Sequence, residues 1–163
     1  MKTLLIVWYS RTGGSRQLAE AARDGALDGG DVEVRFLAAD DAASKDLLAA
    51  DGYIFACPEN LAAIAGVMKA FFDRTYYDVL GRIEGRPYAA LICAGSDGAN
   101  ARVQLERIAT GWRLKRVADT QIVIVGAQTH EEILAEKTIA PGELDQAREL
   151  GATLAAGLEM GVF

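Results

Sequence analysis

The sequence predicts an α/β protein in which five strands form a doubly wound parallel sheet with helices on both faces. Residues 3–9 and 87–95 are almost continuously apolar, which is typical of strands that are covered on both faces of a parallel sheet. Segments with helical periodicity separate the apolar runs, and this alternation predicts parallel strands joined by crossover helices. No linker, repeat or low-complexity segment interrupts the pattern, so a single domain is expected over residues 1–163.

Five segments have the pattern of β-strands. The first ends at Ser10, where polar loop residues begin, and the third ends at Pro58. The second alternates, with Val32, Val34 and Phe36 on one face, which favours an edge position over a central one. The predicted strands cover 3–9, 31–38, 52–58, 87–95 and 120–126.

Helical periodicity or helix-end residues mark six further segments. Leu18 and Ala22 share the inward face of the first helix. Thr129 and Glu132 fit a capping box, and Pro141 stands near the first turn of the last helix. The predicted helices cover 15–27, 44–50, 63–79, 100–112, 130–137 and 142–160.

Composition and charge exclude several classes of protein. Hydrophobic residues make up 51% and charged residues 25% of the chain, as in globular proteins. The net charge of −6 argues against nucleic acid and anionic membranes as partners. Two cysteines provide neither a disulfide framework nor a zinc site. The opening segment "MKTLLIVWYS" is interpreted as a strand rather than a signal peptide, and a cytoplasmic location is expected.

Ligands of such sheets bind outside the carboxyl ends of the strands, which here end in loops 10–15, 58–63 and 94–100. In the first loop Ser10, Thr12 and Ser15 offer hydroxyl groups, while two adjacent glycines allow a tight turn. The loop precedes a helix N-terminus, where backbone amides and the helix dipole favour an anion. A phosphate group is therefore one predicted ligand. An ordinary strand-to-helix turn with Ser15 as the N-cap fits the same residues.

Other phosphate-binding patterns do not match the first loop. A nucleoside-triphosphate loop requires a lysine that is absent here, and "TGGSRQ" does not supply the spacing of a dinucleotide fingerprint. The remaining hypothesis is a monophosphate held mostly by neutral donors. Arg11 and Arg16 could assist, although solvated arginines beside a helix start explain them as well.

Three segments resemble a known family. "YSRTGGS" resembles the phosphate loop of the flavodoxin family, through Ser10, Thr12, Gly13 and Ser15. "CPENLAAIAGVMKAFFDRTYYD" resembles the second flavin loop and helix of the NAD(P)H-dependent FMN and quinone reductases of that superfamily, and "CAGSDGANARVQLERI" resembles their third loop. The resemblance implies a flavodoxin-like sheet of order 2-1-3-4-5, for which flavodoxin is the standard illustration.

The resemblance also implies FMN as cofactor, NADH or NADPH as hydride donor and a quinone or other small molecule as electron acceptor. It implies no metal, and no catalytic residue is identified. One departure is that many relatives carry an aromatic residue and a glycine after the asparagine, where this chain has Leu61 and Ala62. The implied FMN-binding residues are Ser10, Arg11, Thr12, Gly13, Gly14, Ser15, Pro58, Glu59, Asn60, Leu61, Ala62, Ala94, Gly95, Ser96, Asp97 and Gly98.

Three functions remain open at this stage: an FMN-dependent reductase, a one-electron carrier like flavodoxin, and an interaction domain that has lost its cofactor. The hydroxyls and glycines of the first loop argue against the third. The second and third loops contain no aromatic residue, so at least one flavin face is expected to be open, which favours the reductase. Trp8 and Trp112 are interpreted as a strand residue and a helix-packing residue, since either could otherwise cover the flavin.

Other residues support weaker hypotheses. His130 is a potential ligand or acid but also fits a local helix start. A switchable disulfide between Cys57 and Cys93 is conceivable, although buried reduced thiols are favoured. The helix at 63–79 carries more apolar surface than one buried stripe requires, which predicts a homodimer or larger homo-oligomer. Its apolar residues are Ile64, Val67, Met68, Phe71, Phe72, Tyr76, Tyr77 and Leu80.

Overall fold

A parallel sheet with helices on both faces forms the centre of the protein in a computed structural model, which describes residues 1–163. The strands are β1 (Lys2–Trp8), β2 (Val32–Ala38), β3 (Gly52–Asn60), β4 (Ala63–Ile64), β5 (Pro87–Ala94), β6 (Lys115–Arg116) and β7 (Gln121–Ile124). The helices are α1 (Gly14–Gly29), α2 (Ser44–Ala49), α3 (Gly66–Val79), α4 (Ala99–Gly111), α5 (His130–Leu134) and α6 (Pro141–Met160). The predicted α/β class is therefore confirmed.

The strand order confirms the topology implied by the resemblance. The sheet runs β2-β1-β3-β5, and both β6 and β7 pair with β5 in the fifth position. The fifth strand is thus divided: β6 pairs with Pro87 and Tyr88, whereas β7 pairs with the end of β5 from Leu91 onward. The sequence predicts only the second piece, because the charged pair that forms β6 lacks an apolar strand pattern.

The two faces of the sheet bury separate cores. One contains Phe55, Phe71 and Trp112 and lies against α3 and α4, while the other contains Leu91 and packs against α1 and α6. The predicted edge position of β2 is also confirmed, with its alternating residues packed on the second core.

A pair of glycines brings α1 and α6 into close contact. A Cβ atom at Gly25 would lie 1.9 Å from the carbonyl oxygen of Arg148, and one at Gly151 would lie 1.8 Å from that of Ala22. Any larger residue would force the helices apart, so this contact fixes the position of α1 under the first loop.

The helix predicted at 63–79 begins later than predicted, at Gly66. Residues 59–64 instead form a short antiparallel hairpin between β3 and β4, in which Glu59 pairs with Ile64 and Asn60 with Ala63. Leu61 and Ala62 form the turn with positive φ angles, a conformation that their side chains do not indicate in the sequence. The hairpin lies at the ligand edge, so this correction concerns the predicted site directly.

Two helix starts test the capping predictions. Thr129 and Glu132 form the predicted capping box of α5, which ends at Leu134 rather than at residue 137. Ser15 is not the N-cap of α1, because that position is occupied by Gly13 and the helix begins at Gly14. The alternative interpretation of the first loop as a serine-capped turn is therefore wrong.

Most of the apolar surface on the 63–79 segment is used within the chain. Ile64, Met68 and the two phenylalanines are buried, whereas Tyr76, Tyr77 and Leu80 remain exposed near the C-terminal end of α3. The homo-oligomer stays a prediction that now depends on this smaller patch, at the helix end opposite the ligand edge. None of the helices has the length and apolarity needed to cross a bilayer.

Candidate functional site

The three predicted loops meet around one cavity of about 580 Å³ at the carboxyl edge of the sheet. The first loop contributes Thr12, the second contributes Pro58 to Ala62, and the third contributes Ala94 to Ser96. The volume is within the range of roughly 300–1,000 Å³ that is typical of small-molecule sites. We call this space the central cavity.

A second cavity of about 420 Å³ lies on the other side of Thr12. Ser10, Arg11 and Gly13 of the first loop line it, together with Trp8 and Arg16. The Arg16 guanidinium lies 5.5 Å from the centre of the Trp8 ring, which stacks on Phe36. Arg11 forms no ion pair and remains available to an anion.

The first loop exposes backbone amides that have no acceptor within the protein. Gly13 adopts the left-handed conformation, with φ of +92°, and donates its amide to Ser10 Oγ at 3.0 Å. The amides of Arg11, Thr12, Gly14 and Ser15 donate to no backbone or side-chain oxygen. Successive free amides before a helix form an anion-binding concavity.

Ser15 provides a further unsatisfied group. Its side chain is buried, yet its Oγ has no hydrogen-bond partner. Buried hydroxyl groups are normally paired, so this atom requires an explanation. Two other buried side-chain atoms lack a partner, Trp8 Nε1 and Glu59 Oε2, and both also belong to residues at this edge.

Gly14 allows the loop to approach the sheet closely. A Cβ atom at this position would lie 2.6 Å from the sulfur of Cys93 and 3.5 Å from atoms of Lys137 and Ile139. The backbone is therefore clamped between β5 and a segment that lies more than a hundred residues further along the chain. Only glycine fits here without displacing a neighbour.

The second loop is strained at its tip. Leu61 and Ala62 have φ angles of 51° and 60°, and the Leu61 side chain is fully exposed. Two side chains of α4 hold the hairpin: Gln104 Oε1 accepts from the Ile64 amide at 2.8 Å, and Asn100 Nδ2 donates to the Ala62 carbonyl. The strain is therefore maintained by contacts from a neighbouring element.

Glu59 joins the second and third loops. Its Oε1 atom accepts a hydrogen bond of 3.0 Å from the Gly98 amide, while Oε2 is buried without a partner. Glu59 also lines the central cavity. Because Oε2 is shielded from solvent, a ligand in the cavity would reach it only after the Glu59 side chain moved.

The third loop turns at Gly98, the left-handed N-cap of α4, where a Cβ atom would lie 2.6 Å from Ile122. Asp97 is exposed and accepts from the Ala99 amide at 3.3 Å. Neither Gly98 nor Asp97 lines the central cavity, so of the predicted third-loop residues only Ala94, Gly95 and Ser96 reach it.

A segment after β7 completes the cavity. Val125, Ala127, Ile133 and Lys137 line it, and none of these four was among the predicted site residues. The Lys137 ammonium donates to the carbonyl oxygens of Glu132, Ile133 and Ala135 and so caps α5. We call residues 135–139 the strap, because they lie directly against the first loop.

Two thiols lie near the site on opposite faces of the sheet. Cys93 lines the central cavity, and burial raises its pKa to about 11, against an opposing effect of the Lys137 ammonium. Cys57 is buried in the other core, where burial raises its pKa to about 12. Side chains of successive residues alternate between faces, and Cys93 pairs with Pro58 rather than with Cys57. A disulfide between the two is therefore excluded.

No aromatic side chain lines the central cavity. Trp112 is buried among phenylalanines, with its ring centre 5.1 Å from that of Phe72, which confirms its interpretation as a packing residue. Trp8 lines the second cavity instead. His130 is exposed at the start of α5 and lines neither cavity, so nothing in its position supports a role as a ligand or acid.

The sheet order and the position of the cavity define a flavodoxin-like protein with its ligand edge at the first, second and third loops. Several solved structures share this fold. A flavodoxin from the domain Archaea superposes with a TM-score of 0.78 at 17% identity, covering 96% of this chain and 99% of that one. A WrbA-like flavodoxin from Agrobacterium tumefaciens gives 0.70 at 18% identity, covering 98% and 99%.

Sequence comparison identifies the family. A flavodoxin from Aquifex aeolicus (strain VF5) is 33% identical over 110 residues, which span 68% of this chain but only 60% of that relative. Residues 1–129 match the model of the NADPH-dependent FMN reductase family. The chain belongs to this family and is an FMN-binding flavoprotein of flavodoxin-like fold.

Proposed function

We propose that this protein is an FMN-dependent reductase that takes a hydride from NADH or NADPH and delivers two electrons to a quinone or another small acceptor. Bound FMN would supply the redox chemistry, because its ring accepts a hydride and later releases the electrons. The protein's part is to bind the phosphate, hold the ring and leave one ring face accessible.

The absence of aromatic side chains from the central cavity carries this proposal. A nicotinamide must stack within about 3–3.5 Å of the flavin for hydride transfer. An aromatic residue on the ring would occupy that position, whereas Leu61 and Ile133 border the cavity at its exposed rim. The cavity can therefore admit a second planar ring.

The first loop supports FMN as the cofactor through its free donors. A phosphate held there would receive hydrogen bonds from the amides of Gly14 and Ser15 and would satisfy the buried Ser15 hydroxyl. Hydrogen bonds to a charged group contribute about 1.5–3 kcal/mol each. Arg11 adds a positive charge without being committed to a carboxylate, so tight binding needs no lysine in the loop.

The second and third loops support a polar contact with the ring edge. Glu59, Asn60, Ala94 and Gly95 all line the central cavity. We assign these loops to the isoalloxazine ring and the first loop to the phosphate. Gly98 acts indirectly in this assignment, since its amide holds Glu59, whereas Asp97 lies outside the cavity.

The proposal is tested by mixing the FMN-saturated protein with NADPH, and separately with NADH, in the absence of oxygen. We expect the visible absorbance of oxidised flavin to disappear in one two-electron phase and to return when a benzoquinone is added. No reduction by either nucleotide would overturn the reductase assignment.

A pair of variants tests whether access to the cavity matters. Leu61→Trp adds an aromatic side chain at the rim, whereas Leu80→Trp adds one to an exposed position at the far end of α3. We expect only the first to slow reduction by NADPH, with reduction by dithionite unchanged. Equal rates in both variants would show that the nicotinamide approaches from elsewhere.

A one-electron carrier is the second candidate, and the flavodoxin from Aquifex aeolicus is the observation that favours it. A carrier would not react with nicotinamide nucleotides, and dithionite would reduce it in two separate one-electron phases. Anaerobic mixing with NADPH and NADH, followed by stepwise reduction with dithionite, therefore distinguishes the two functions.

A further inference from the structure

Gln17 is the side chain that connects the first loop to the strap. It lies on the first turn of α1, and its Nε2 atom donates to the carbonyl oxygens of Gly13, at 3.0 Å, and Lys137, at 2.6 Å. Its Oε1 atom accepts from the Ile139 amide at 3.1 Å. Both ends of the amide group are therefore engaged.

The strap makes a further bond to the loop beside Gln17. The Lys137 amide donates to the Thr12 carbonyl at 2.7 Å. The carbonyl groups of Thr12 and Gly13 are thus both turned toward Gln17 and the strap. The strap partners in these contacts lie outside residues 1–129, which match the family model, whereas Thr12, Gly13 and Gln17 lie within them.

The orientation of a carbonyl group determines the direction of the following amide. In a planar trans peptide the C=O and N–H groups point in opposite directions. Holding the Gly13 carbonyl against Gln17 therefore turns the Gly14 amide away from the strap, toward the side where the loop has its free donors. The Gly13 carbonyl also accepts the first helical bond of α1, from the Gln17 backbone amide at 3.1 Å, so losing the Gln17 side chain would loosen this peptide and release the strap rather than free the peptide completely.

We infer that Gln17 is a positioning residue for the phosphate group of FMN, acting through the loop peptides without touching the cofactor. This inference rests on the proposed placement of the phosphate in the first loop. It also links the strap to cofactor binding, because the same side chain holds Ile139 and Lys137.

The test compares Gln17→Leu with Gln146→Leu, a control on α6 whose exposed glutamine has no side-chain hydrogen bond. Dissociation constants for FMN and riboflavin are measured by flavin fluorescence on the full chain. We expect Gln17→Leu to weaken FMN about tenfold, with riboflavin affinity unchanged. A purely structural role would weaken both ligands equally.

Amide hydrogen exchange supplies an independent readout. In Gln17→Leu the Ile139 amide loses its acceptor and should exchange faster, whereas Gln146→Leu should leave it unchanged. If the leucine variant does not fold, Gln17→Glu retains an acceptor for Ile139 but loses both donors, and the same selective loss of FMN is expected.

Two results would overturn the inference, and only the second would also overturn the proposed placement of the phosphate in the first loop. If the wild type prefers FMN to riboflavin and Gln17→Leu keeps that preference in full, Gln17 does not position the phosphate and the proposed site stands. If the wild type itself shows no preference, the phosphate lies elsewhere and the placement in the first loop fails together with the inference.

Discussion

The first and second loops border the same cavity but reach their shapes by opposite means. In the first loop the left-handed position is occupied by Gly13, which adopts it without a steric penalty. In the second loop the left-handed positions are occupied by Leu61 and Ala62, at a cost of roughly 1–2 kcal/mol each. The first loop therefore has a sequence suited to its backbone conformation, whereas the second adopts a backbone conformation that its residues disfavour.

The contacts around each loop match this difference. The first is enclosed by Cys93, Gln17 and the strap, so contacts within the protein determine its conformation. The second has an exposed tip and is held mainly by Gln104 and Asn100 of α4. We interpret the first as a preorganised anion site and the second as an adaptable wall for the ring.

Of the loop variants, Gly14→Ala is expected to lower the stability most, because the new methyl group would lie 2.6 Å from the Cys93 sulfur. Crowding a packed interior in this way costs about 1–3 kcal/mol. Urea unfolding measures the loss. Gly66→Ala is the matched control, since nothing lies within 4 Å of a Cβ atom there and its effect should be small.

Removing the Cys93 sulfur tests whether its contact with the new methyl group causes the loss of stability in Gly14→Ala. Cys93→Ala should relieve the clash, so the double variant Gly14→Ala with Cys93→Ala should be more stable than the sum of the single effects predicts. Additive effects would mean that the first loop is not packed tightly against β5. The two loops would then not differ in how firmly neighbouring elements hold them.

Substitutions in the turn of the hairpin are expected to raise the stability, by a smaller amount than Gly14→Ala lowers it. Leu61→Asn combined with Ala62→Gly supplies the residues that a turn with two positive φ angles prefers. We expect the free energy of unfolding to rise by about 0.5–1.5 kcal/mol. Ala63→Gly, in the adjoining strand β4, should instead lower it by about 0.5–1 kcal/mol. A loss of stability in the turn variant would show that the strain is absent.

The sequence predicts the buried strands and the first loop well because both have local signals, whereas the strand order is implied by the family resemblance. Apolar runs identify buried strands, and the paired glycines beside Ser10, Thr12 and Ser15 identify a turn with donors. The first-loop prediction coincides with a run of backbone amides that have no acceptor, although Ser10 Oγ accepts a hydrogen bond from the Gly13 amide within the loop.

The hairpin and the strap could not be predicted in the same way. Leu61 and Ala62 are not turn-forming residues, so the conformation depends on tertiary contacts with α4 that leave no local pattern. Gln17 and Lys137 are 120 positions apart, and a polar residue on a helix is normally assumed to face solvent. Lys137, Ile133 and Cys93 line the cavity because the fold brings them there, and no local sequence pattern indicates this position.

The central claim is that the first loop binds the phosphate and the other two loops bind the ring. Thr12→Val tests it most directly, because the change removes one hydroxyl group beside the free amides while nearly preserving side-chain shape. Thr110→Val is the control, because Thr110 lies at the C-terminal end of α4, away from the third loop. Dissociation constants for FMN and riboflavin should be measured for both variants and the wild type. We expect about 10- to 100-fold weaker FMN binding for Thr12→Val with riboflavin affinity unchanged. Equal losses for both flavins, or no loss for either, would show that the first loop does not bind the phosphate.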